Sequence, residues 1–117
     1  MKNVLFIVRT APHGSAAVAE SIRTCLGFGT MPFDIGYVLL DDATWAVLPN
    51  QRPESIGGNN ALELISNLTD LGVRLYVESD ALAERGLSVA GLEPEFVPLS
   101  QEQISDLIAS ADVVLTY

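Results

Sequence analysis

An unbroken apolar run, Val4–Val8, passes through the loop Arg9–Ser15 (RTAPHGS) directly into a stretch of helical periodicity, and this succession constrains the fold most. A strand that is apolar at every position is buried on both faces, as in a parallel sheet covered by helices. In open sheets of that kind, ligands and partners gather at the carboxyl ends of the strands. Function is therefore expected at the edge that carries RTAPHGS.

The alternation of strand and helix signals continues along the chain. Ser15 reads as an N-cap for a first helix with Val18, Ile22, Cys25 and Leu26 on its buried stripe and Gly27 and Gly29 as its stop. Ile35–Leu40 reads as the second strand, Ala43–Leu48 as a short helix, and Gln51–Asn59, rich in Pro, Gly and Asn, as a loop. Ala61, Leu64, Ile65, Leu68 and Leu71 follow a helical period closed by Gly72, and Val73–Val77 is the third strand. Ser79–Arg85 reads as a short helix with Ser79 as N-cap and Gly86 as stop, followed by a strand near Phe96–Val97. Ser100 and Gln103 match the S-x-x-Q capping box of a last helix, whose stripe is Ile104, Leu107, Ile108 and Ala111, and Val113–Leu115 closes the sheet. The expected fold is α/β: a single three-layer domain over residues 1–117, with a mainly parallel sheet of about five strands and helices on both faces.

Six Lys and Arg against fifteen Asp and Glu give a formal charge of −9, which repels the phosphate backbone and argues against direct nucleic-acid binding. The apolar start falls short of the roughly 18–20 residues that span a membrane and lacks a signal-peptide cleavage pattern, so a cytoplasmic, non-membrane protein is expected. One cysteine and one histidine allow neither an internal disulfide framework nor a convincing zinc set. No cofactor, metal or catalytic residue is assigned.

The individual candidates point the same way. RTAPHGS can present backbone N–H groups to an anion, yet it has one glycine, no Walker lysine and no G-x-G-x-x-G spacing, which favours a simple turn. His13 has no nucleophile near it in sequence. Cys25 sits late in an amphipathic helix on the apolar stripe, the place of a core thiol rather than a reactive one. Asp41 and Asp42 stand at the crevice edge and suit the start of a short helix, while Trp45 fits either the core or an interface. The interface candidates are Pro12, His13, Gly14, Asp41, Asp42, Trp45 and Leu48.

Taken in order, TAPHGSAA after strand one, LLDDATWAVLPNQRPE after strand two, LGVRLYVESDALAERGLS and the closing ADVVLTY resemble the DsrE/DsrF/DsrH family of sulfur-relay proteins, most of all its DsrF/TusC branch. The resemblance covers nearly the whole chain. It implies a cytoplasmic α/β subunit that assembles with DsrE/TusD-like and DsrH/TusB-like partners as a dimer of heterotrimers. Such complexes serve persulfide transfer in tRNA 2-thiouridine formation or in sulfur oxidation. The DsrE/TusD branch carries its sulfur on a cysteine eight residues ahead of the glycine that follows the short helix; here that position is Glu78, so the carrier role does not transfer. Nor is it carried over to Cys25. The resemblance thus implies a non-catalytic subunit of a sulfurtransferase complex. The alternatives are a small anionic-ligand-binding α/β protein, or a homo-oligomeric relative without sulfur-relay partners.

Overall fold

The computed structural model describes residues 1–12, 16–48, 61–92 and 94–117. Five strands, β1 (Lys2–Val8), β2 (Phe33–Leu39), β3 (Arg74–Glu78), β4 (Val97–Leu99) and β5 (Val113–Thr116), form one sheet in the order β4-β3-β2-β1-β5. Every pairing is parallel, with β1 and β2 in register from Lys2 opposite Phe33 to Val8 opposite Leu39. The helices are α1 (Ala17–Phe28), α2 (Ala61–Ser66, continued as a 3-10 turn to Leu71), α3 (Ser79–Glu84) and α4 (Gln101–Ser110). A 3-10 helix, Asp41–Val47, follows β2.

Alternation along β1 sends Val4, Phe6 and Val8 to one face and Leu5 and Ile7 to the other. The first face holds the main core: these three join Ile35, Tyr37, Leu39, Leu75 and Val77 under Val18, Ile22 and Cys25 of α1, Ile65 of α2 and Leu82 of α3. A buried polar pair sits within it. Ser21 Oγ–H donates to the Val18 carbonyl at 2.6 Å, which leaves the Tyr37 hydroxyl as donor in its 2.7 Å bond to Ser21. The second face is thinner, with Leu5, Ile7 and Val38 packed against Leu107 of α4 and Ala111 just past its end. Helices do lie on both faces, but very unequally.

Several local expectations shift. Gly27 lies inside α1, which ends at Phe28, and Leu26 is 41% exposed because it stands about 100° around the helix from Cys25. The N-cap of α3 is Glu78; Ser79 is the first helical residue, and its hydroxyl donates instead to the Leu99 carbonyl. Ser100 and Gln103 form the complete capping box of α4. Ile104 of that helix is buried, whereas Ile108 is 38% exposed, since among the described residues no second helix flanks α4 on its face of the sheet. Gly72 closes its turn with φ of 78°, the left-handed conformation a glycine adopts without strain. Ser15 and the loop Gln51–Asn59 lie outside the described residues.

Candidate functional site

The carboxyl ends of β1, β2 and β3 converge on a network of charged side chains. Past β1, the Arg9 guanidinium donates from Nε at 3.2 Å and from Nη2 at 3.1 Å to Oδ2 of Asp41, the first residue of the 3-10 helix after β2. Neighbouring Asp42 takes its charge partner from elsewhere: Arg85, at the end of α3, reaches Oδ1 at 2.8 Å. Nη1 of Arg85 also donates to the Ala81 carbonyl, and Asp42 beside it holds the guanidinium pKa above its usual value. Adjacent carboxylates thus face different cations, which ties β1 and α3 to one turn.

Glu78 ends β3 and is only 8% exposed. Its Oε1 accepts the backbone N–H of Asp41 at 3.0 Å. Asp41 has φ of 48°, the only positive φ of a non-glycine residue among the described residues, so the buried carboxylate braces an unfavourable backbone conformation. The Thr44 hydroxyl donates to the Asp41 carbonyl at 2.7 Å and closes the turn from the other side.

Of the interface candidates, Pro12 is buried, Asp41 half-buried, Asp42 exposed, Trp45 half-buried within the 3-10 helix, and Leu48 38% exposed just beyond it. Leu48 therefore follows the helix rather than belonging to it. His13 and Gly14 lie outside the described residues. The network joins Asp41 and Asp42 to Arg9, Glu78 and Arg85. The pairing with Arg85 escaped sequence reading because 43 positions separate it from Asp42.

This edge offers no thiol among the described residues. Cys25 is fully buried in the main core, where burial pushes its thiol up to about 12 and leaves it protonated at neutral pH. No group of three or more potential metal ligands occurs among the described residues. An open groove of about 1300 Å³ runs elsewhere, past α3, Ser66–Asp70 and the connection to β4, with Leu82, Leu87 and Phe96 beside Asp70 and Glu95 in its lining. No described helix is long and apolar enough to cross a membrane.

A family model described as the DsrE/DsrF-like family matches residues 2–117. Among curated proteins, the chain is 29% identical over 119 residues to "Protein TusC homolog" of Vibrio parahaemolyticus, with all of both chains covered. It is 29% identical over 122 residues to "Protein TusC" of Escherichia coli strain K12, again over the full length of both. Among solved structures, the ychN protein from E. coli superposes with a TM-score of 0.86 at 25% identity, covering 100% of each chain.

Proposed function

The chain belongs to the DsrE/DsrF-like family, and from that membership we propose that it is a TusC-like, non-catalytic subunit of a sulfur-relay complex. One observation carries the proposal that another subunit holds the sulfur. The position corresponding to the sulfur-carrying cysteine of the DsrE/TusD branch is Glu78, a carboxylate already engaged with the Asp41 N–H. A carboxylate cannot hold a sulfane sulfur as a persulfide, and the chain's sole cysteine is buried and protonated.

In this reading the full chain acts as one domain in the cytoplasm, and the persulfide travels on a DsrE/TusD-like partner, with a DsrH/TusB-like subunit completing a dimer of heterotrimers. The task is tRNA 2-thiouridine formation, in keeping with the names of the relatives. The strand-end edge contributes a shaped and locally balanced surface. Arg9 with Asp41 and Arg85 with Asp42 cancel their charges where they meet, so a partner approaches that edge without facing an unpaired cation on either guanidinium. Half-buried Trp45 and exposed Leu48 supply apolar contact beside it.

The test is reconstitution with the co-expressed partner subunits, a cysteine desulfurase and radiolabelled cysteine, followed by mass spectrometry of each chain. Label is expected on the partner's cysteine and not on this chain. A persulfide on Cys25, or failure of the chain to associate with those partners, refutes the proposal.

A further inference from the structure

The open groove past α3 leaves its charges unmatched, unlike the strand-end edge. Its floor is apolar. Leu82 and Phe96 are buried at its base, and half-buried Leu87 and Leu92 of the connection to β4 pack against the main core while lining the groove. Asp70, on the turn that ends the α2 segment, and Glu95, on the connection to β4, line it as exposed carboxylates. Among the described residues no Lys or Arg joins them in the lining, and neither carboxylate has an ion-pair partner. The paired arginines stand elsewhere: Arg9 with Asp41, Arg74 with Asp34, and Arg85 with Asp42.

We infer that this groove docks an extended segment of a partner protein in which lysine or arginine alternates with apolar side chains. The inference rests on the groove alone and is independent of the sulfur-relay reading. Side chains of an extended chain alternate between two faces, so every second one enters the apolar floor while the cations between them stay outside. Their long stems let the charged heads reach sideways to the carboxylates of Asp70 and Glu95. The connection to β4 also offers backbone donors, since the N–H groups of Ser88, Val89 and Gly91 have no protein acceptor among the described residues. A segment of about eight residues extends over about 26 Å, close to the 25 Å that the molecule measures along its shortest axis.

Charge selects the occupant. A nucleic-acid phosphate or an anionic lipid headgroup would meet two unpaired carboxylates on a chain of formal charge −9. A second copy of this chain brings that same charge and is repelled for the same reason. An uncharged ligand gains nothing from Asp70 and Glu95. A basic segment gains from both, and its apolar side chains cover the floor that water otherwise wets.

The probe is a fluorescein-labelled peptide of alternating leucine and lysine, of that length, titrated with the full chain by fluorescence anisotropy. Saturable binding is expected, weakening as salt is raised. Peptides with glutamate for lysine, or with serine for leucine, are expected not to bind. Asp70→Lys combined with Glu95→Lys is expected to weaken binding by more than about tenfold, since both attractions become repulsions. Glu20→Lys combined with Asp106→Lys changes the net charge equally at exposed positions outside the groove, and is expected to weaken binding by less than about threefold. Absence of binding, equal binding of the serine peptide, or equal losses in the two double variants overturns the inference. So does a wild-type dimer in sedimentation that the groove substitutions dissociate, because a second copy would then fill the groove. The four substituted side chains are exposed, so circular dichroism is expected to report folded variants.

Discussion

The backbone N–H of Asp41 donates to Oε1 of Glu78 at 3.0 Å, so a carboxylate at the end of β3 holds the turn leaving β2 in a left-handed conformation. The Glu78 side chain thus serves the geometry of the edge. Glu78→Ala leaves a partly buried N–H without its acceptor and is expected to cost about 1–3 kcal/mol. Glu78→Gln keeps an acceptor oxygen and is expected to cost less. Urea denaturation of both variants measures the difference, and equal losses would show that the hydrogen bond is not what matters.

Cys25 and Tyr37 make stability depend on pH at the alkaline end. Burial raises both acids, the thiol from 9.0 to about 12, so the folded chain keeps protons that the unfolded chain releases. The cysteine's contribution is complete below its unfolded value and is lost as pH rises through the window from about 9 to 12, and the tyrosine's is lost at more alkaline pH still. Denaturation midpoints should fall across that window, and Cys25→Ala should flatten part of the fall. The native thiol should also label with iodoacetamide no faster than global unfolding allows.

Gly36 allows two side chains to close over β2. A Cβ at this position would stand 3.0 Å from Cδ1 of Leu5 and 3.3 Å from Cε2 of Tyr76. The valine of Gly36→Val adds two further methyl groups in that space and is expected to destabilise by about 1–3 kcal/mol despite its strand propensity. Thermal and chemical denaturation measure the loss, and a gain in stability would mean that the second face of the sheet is loosely packed.

Trp45 stands on the 3-10 helix beside the charged network, half-buried in the isolated chain. If it anchors the interface proposed above, Trp45→Ala should weaken assembly with the partner subunits by more than tenfold, the effect of losing about 2–4 kcal/mol at an interface centre. Circular dichroism should report a folded variant, and titration calorimetry the affinity. A folded variant of unchanged affinity removes Trp45 from the interface; an unfolded one assigns it to the core.

The elements of this protein were legible in its sequence because their signals are local. The apolar run Val4–Val8 specified a strand covered on both faces, the Ser100–Gln103 box fixed the start of α4, and Gly72 ended the helical stretch before β3. The stripe Val18, Ile22 and Cys25 likewise marked the buried side of α1, and with it a buried cysteine. Tertiary structure decided what those elements bring together. Arg9 meets Asp41 across 32 positions, Asp41 meets Glu78 across 37, and Arg85 meets Asp42 across 43, because parallel crossovers place all three strand ends at one edge. No periodicity records such contacts. Periodicity reports only which way a side chain faces along its own element, whereas strand order decides whose neighbour it becomes. The same order left Val114 on an open rim and Pro98 on the opposite one, although both residues read in sequence simply as parts of short strands.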